Sequence, residues 1–92
     1  MTLSRLSGRV LGRVQGVGFR AFTKKAAHQF QLSGWVKNEP DGSVSFEVQG
    51  ALDALEQFKE TIKKGPIFSR VDQLELQDLT QLLEDHEFSI LR

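Results

Sequence analysis

Between Val14 and Phe19 the apolar period of the chain changes from that of a strand to that of a helix, and two of the four intervening residues, Gln15-Gly16-Val17-Gly18, are glycine. Upstream, Leu6, Gly8, Val10, Gly12 and Val14 alternate with Ser7, Arg9, Leu11 and Arg13, the pattern of a strand with one buried face. Downstream, Phe19, Phe22, Ala26, Ala27 and Phe30 recur at helical spacing over a stretch free of Gly and Pro, which predicts a helix over 20–31. So short a glycine turn between strand and helix is the outline of an anion cradle. Glycine takes backbone conformations barred to bulkier residues, so successive N–H groups can converge on one anion while the helix N-terminus adds its positive end. Arg20, at the helix opening, adds a fixed charge with a forked set of donors.

The rest of the chain continues in the same manner. Gly34 is expected to break the first helix, and Trp35-Val36-Lys37-Asn38 leads into Glu39-Pro40-Asp41-Gly42, a turn signal. Val44, Phe46 and Val48 alternate with polar neighbours, so strands two and three form a hairpin. Ala51, Leu52, Leu55, Phe58 and Ile62 give a second amphipathic helix that Gly65-Pro66 closes. Val71, Leu74 and Leu76 indicate a fourth strand whose step from odd to even positions implies a bulge or a start after Val71. Phe88 and Ile90 indicate a short final strand, while Leu79, Leu82 and Leu83 fit either one helical turn or a cover over the core. The resulting class is α+β, in the order βαββαβ with a short terminal β element, both helices on one face of an antiparallel sheet. Residues 1–92 are read as one domain, with no repeat or linker.

Composition narrows the function. Without cysteine the chain gains nothing from an oxidising compartment, and it has neither a secretory h-region nor a bilayer-spanning run, so a cytoplasmic location with no membrane partner is expected. Net charge is zero, yet residues 1–38 carry seven bases and no acid, and residues 39–92 carry twelve acids and five bases. That places the cradle in a locally basic stretch without the domain-wide basic face of a nucleic-acid binder, so the expected partner is a small anion. Tyrosine is absent as well, and His28 and His86 lack metal-pair spacing and read as surface or partly buried side chains; neither metal site nor cofactor is expected. A Walker loop is excluded because Phe19-Arg20 stands where Lys and Ser or Thr are required, and no serine sits in a nucleophile elbow. Alone, the glycine pair and Arg20 fit a plain tight turn with a surface cation as well as they fit an anion site.

A second pattern follows the first at the distance of one helix: Gly34-Trp35-Val36-Lys37-Asn38, then Gly42, Val44 and Gly50. Together with Gly12, Val14, Gln15, Gly16, Val17, Phe19 and Arg20, it resembles the two signatures of the acylphosphatase family. Gly65-Pro66 with Ser69 and Val71 is similar to that family's segment after the second helix, and the likeness runs from Leu6 to Arg92, weakest over 73–87. The resemblance implies a ferredoxin-like α/β sandwich and a metal-free hydrolase that converts an acyl phosphate and water to a carboxylate and inorganic phosphate. It puts the family's phosphate-binding arginine on Arg20, its water-positioning asparagine on Asn38, and its cradle on the backbone of Gln15, Gly16, Val17, Gly18, Phe19 and Arg20.

The residues suit that chemistry. A carboxylate leaves with little or no protonation, so no strong general acid is required. Phosphoryl transfer asks mainly for position and for charge stabilisation on the equatorial oxygens, which backbone donors and a guanidinium can supply. Asn38 is no base at neutral pH, but its amide can hold water in line with phosphorus. Two other functions share the features. One is a non-hydrolytic domain binding phosphate or carbamoyl phosphate, as in the acylphosphatase-like domains of long hydrogenase-maturation proteins, against which the end at Arg92 without downstream cysteines argues. The other is an RNA-binding module, disfavoured because Ser43-Val44-Ser45-Phe46-Glu47-Val48 lacks the aromatic and basic consensus. A monomer is expected, since no heptad or interface stripe is present. Nothing in the motifs identifies the acyl group.

Overall fold

The computed structural model describes residues 2–84 and 86–91. The elements follow in the order β1 (Leu3–Arg13), α1 (Phe19–Gln29), β2 (Ser33–Asn38), β3 (Val44–Ala51), α2 (Leu52–Lys64), β4 (Arg70–Leu79) and β5 (Phe88–Ile90). They form one five-stranded sheet, ordered β4-β1-β3-β2-β5. The four long strands pair antiparallel, as the alternation predicts; β5 departs from the all-antiparallel expectation and joins the edge of β2 in parallel, Phe88 opposite Gly34 and Ile90 opposite Val36. Two helices on one face of this mixed sheet make the ferredoxin-like α+β arrangement.

The side-chain period of two decides which face is buried. Leu6 faces Val48 and Val10 faces Val44 across the β1–β3 ladder, and all four are buried under the helices with Val36, Phe46, Phe19, Ala27, Leu55, Phe58 and Ile62. Burial of each large apolar side chain here stabilises the fold by about 1.5–3 kcal/mol. Gly8 serves this core by having no side chain, because the Phe46 ring occupies the place of its Cβ and meets the Phe58 ring edge-on at 5.4 Å.

The implied bulge is real. Leu11 faces Gln73 and Gly12 faces Val71, so Asp72 is the extra residue, and a Cβ on Gly12 would run into the Arg70 carbonyl. Leu76 stays 41% exposed because β4 is the edge of the sheet. Helix α1 ends earlier than the period predicts. Gln31, with φ of 58°, takes the left-handed position after the helix, and Gly34, expected to break it, already lies within β2 against the Glu47 carbonyl. Leu82 and Leu83 form no helical turn. Their segment crosses the open face of the sheet, where the Leu83 N–H donates to Gln49 Oε1 (2.9 Å) and Gln49 Nε2 donates to the Leu83 carbonyl (2.7 Å). Asp85, in the same stretch, lies outside the described residues. On this face, too, Arg5 is buried and donates to Glu47 (3.0 Å) and Gln49 (3.1 Å), a burial that no sequence period announces.

Candidate active site

The polypeptide leaves β1 at Arg13, buries Val14, and turns through Gly16 (φ 74°) and Gly18 (φ 79°) into α1. Both φ values lie in the left-handed region that glycine adopts without steric cost, and a Cβ at either position would meet only open space. The turn is therefore glycine for its shape and for the room in front of it. Gly18 is the N-cap of α1; no side chain caps the helix and no acid lies in its first turn. The first intrahelical bond runs from the Phe22 N–H to the Gly18 carbonyl (3.0 Å), so the amides of residues 19–21 face the turn without an intrahelical acceptor. Phe19 anchors the helix start in the core, its ring 5.9 Å from that of Phe22.

Arg20 follows it, half-buried, and among the described residues no carboxylate pairs with its guanidinium. Neighbouring arginines differ. Arg9 is paired with Asp41 and Glu75, and Arg70 is hydrogen-bonded to Asp72 at 2.9 and 3.2 Å, which raises its pKa above the ordinary arginine value.

Asn38 is the last residue of β2. It pairs with Val44 and so shares the helix-covered face with Gly34 and Val36, toward the start of α1. Its side-chain amide has no hydrogen-bond partner among the described residues. A cavity of about 500 Å³ brings Gly16, Gly18, Phe19, Arg20 and Asn38 together, with Val14, Ala21 and Ile90 completing its wall. Two of the residues expected to surround phosphate do not line it. Val17 packs against the core, and the Gln15 side chain turns to the β2–β3 hairpin, with Nε2 donating to the carbonyls of Glu39 (2.8 Å) and Ser43 (2.9 Å). Ile90 escaped the sequence reading because its place depends on β5 crossing the sheet to pair with β2. Its only signal was the alternation of Phe88 and Ile90 itself.

A larger cavity, about 680 Å³, lies between the end of α1 and the segment before β5, lined by His28, His86 and Glu84 among others. Among the described residues, its wall contains neither an uncapped helix start nor an arginine. Among the described residues no group of three or more His, Cys, Asp or Glu side chains is arranged to hold a metal ion, and no helix is long and apolar enough to cross a membrane.

Among the described residues, the cavity wall combines a guanidinium without a carboxylate partner, helix amides without a side-chain cap and a neutral amide, and no carboxylate lines it, an arrangement whose charge and donors suit an anionic ligand. A family model for acylphosphatases matches residues 6–90, and the chain belongs to the acylphosphatase family, enzymes that hydrolyse acyl phosphates. An acylphosphatase of Salinibacter ruber is 48% identical over 75 residues, covering 82% of this chain and 79% of the relative. That of Bacillus subtilis is 44% identical over 80 residues, 87% and 88% of the two chains. A crystal structure of acylphosphatase from Bacillus subtilis superimposes with a TM-score of 0.94 at 41% identity, covering 99% of this chain and 100% of the other. Full-length HypF, in its phosphate- and nucleotide-bound form, matches with a TM-score of 0.92 at 29% identity; the likeness covers 99% of this chain but 12% of HypF.

Proposed function

We propose that the chain hydrolyses acyl phosphates without a metal, with Arg20 and the backbone of the Gln15–Arg20 turn holding the phosphoryl group and Asn38 orienting the water. One observation carries this reading: Arg20, at an uncapped helix start, and Asn38, at the end of β2, line the same cavity, and neither side chain has a partner among the described residues. The guanidinium and the first amides of α1 supply positive charge to the equatorial oxygens as the bond to the acyl oxygen breaks. The Asn38 carbonyl oxygen accepts a hydrogen bond from water and fixes its line of attack on phosphorus. A P–O bond to water forms, the P–O bond to the acyl group breaks, the electron pair leaves with the carboxylate, and the water's hydrogens remain on the phosphate. Because the carboxylate leaves as an anion, the missing general acid is no obstacle.

The apolar wall of Val14, Ala21 and Ile90 offers the acyl substituent contact without hydrogen bonds that would select one group. We read the protein as a cytoplasmic monomer of one domain, supported by the lack of cysteine and by the single core that both helices share.

Turnover of benzoyl phosphate in the presence of a chelator tests the reading. Wild type should be active, and Arg20→Ala should lose about a hundredfold or more in kcat/KM. Asn38→Ala should lose about a hundredfold in kcat while still being inhibited by inorganic phosphate. A protein that binds phosphate without turnover would instead match the binding-domain reading that the likeness to HypF keeps open.

A further inference from the structure

We infer that the side chain of Gln15 is a positioning residue that fixes Asn38 relative to the phosphoryl cradle, an inference that rests on the roles proposed above for Asn38 and Arg20. Gln15 sits in the cradle turn, yet its amide points away from the cavity. Both Nε2 hydrogens are engaged, one on the Glu39 carbonyl at 2.8 Å and one on the Ser43 carbonyl at 2.9 Å. These are the two ends of the turn that follows Asn38. The Glu39 carbonyl also accepts from the Gly42 N–H (3.1 Å), and the Ser43 carbonyl from the Glu39 N–H (2.8 Å). The turn is braced internally as well, with Asp41 Oδ1 accepting from the Ser43 N–H (3.0 Å) and hydroxyl (2.6 Å). Gln15 thus grips a closed unit whose first residue is covalently joined to Asn38.

The grip matters because the sheet does not supply it. The β1–β3 ladder ends at Val10 opposite Val44, and the remaining residues of β1 pair only with β4. From Val10 onward the cradle strand diverges from the hairpin that carries Asn38, and the Gln15 amide spans the gap. Only a side chain of this length with two donors on one atom can serve both carbonyls. Glutamate has no donor when ionised, asparagine is one methylene short, and methionine matches the length without a donor.

Steady-state kinetics with benzoyl phosphate, and competition by inorganic phosphate, test this on the whole chain. Gln15→Met should lower kcat by about 10- to 100-fold, because a misplaced water is out of line, with the inhibition constant for phosphate changed by less than about threefold. In an Asn38→Ala background the same substitution should cost less than about twofold in kcat, because the group it positions is already gone. Multiplicative losses in the double variant, or weakened phosphate inhibition with kcat retained, would overturn the inference and leave the catalytic reading standing. Wild-type kcat in Asn38→Ala would overturn the catalytic reading itself, and the inference with it.

Gln15→Glu gives a second measurement should the methionine variant not fold. Its carboxyl, ionising near pH 4.3 in the ordinary case, regains one donor on protonation, so its kcat relative to wild type should rise several-fold as pH falls toward that value. A ratio that stays flat with pH would also overturn the inference.

Discussion

The two helices lie side by side on one face of the sheet, yet their N-termini are built differently. The second residue of α2 is Asp53, a negative charge at the positive helix end, and its Oδ1 accepts from the Ala54 N–H at 2.9 Å. The Leu52 amide is satisfied by the Thr2 carbonyl at 3.2 Å. In α1 the second residue is Arg20, a positive charge at a positive end, with a left-handed glycine as N-cap and no acid in the first turn. One helix start is neutralised from within the chain. The other concentrates positive charge that nothing within the described chain balances, which is unfavourable for the empty protein and favourable for an anionic ligand.

That contrast can be broken at either helix. Arg20→Ala should have the largest effect, about a hundredfold or more in kcat/KM, while raising the stability of the phosphate-free protein by a few tenths of a kcal/mol, read from urea midpoints. Added phosphate should raise the melting temperature of wild type and leave that of the variant nearly unchanged. Gly18→Ala comes next: a methyl group there meets no neighbour, so the cost is conformational, about 1–2 kcal/mol of stability, with weaker phosphate inhibition as the turn relaxes. Asp53→Ala should be smallest, a loss of about 0.3–1 kcal/mol in urea denaturation with kcat/KM unchanged. A turnover defect in that variant would show that the helix termini are not independent.

Much of this contrast is legible in the sequence, since the glycine turn, Arg20 at a helix start and Asn38 at a strand end are all local patterns. Legibility fails where distant partners decide. The Gln15 side chain could face the anion or the hairpin, and only the divergence of β1 from β3 after Val10 selects the hairpin. Ile90 enters the cavity wall because β5 pairs in parallel with β2, a choice that three residues of alternation do not encode. Gln31 occupies the left-handed position at the end of α1 in place of a glycine, with the Leu32 N–H bonded to the Ala27 carbonyl at 2.8 Å to close the helix. Arg5 lies outside every apolar period, and its burial depends on Gln49, which accepts from Arg5 and is itself bonded to Leu83 on the open face.

The strand order β4-β1-β3-β2-β5 has a kinetic consequence. Each of the two central strands finds a partner far away in sequence: β1 pairs with β3 across the whole of α1 and β2, and with β4 beyond α2. Such pairings carry loop-closure entropy that local contacts do not, so they slow the search for the native state. Arg20 and Asn38 belong to different local units, and the central pairing of β1 with β3 is what brings those units into one cavity. A chain that holds its helices and hairpin without this pairing lacks the assembled cavity, so recovered turnover reports a long-range closure rather than the local elements.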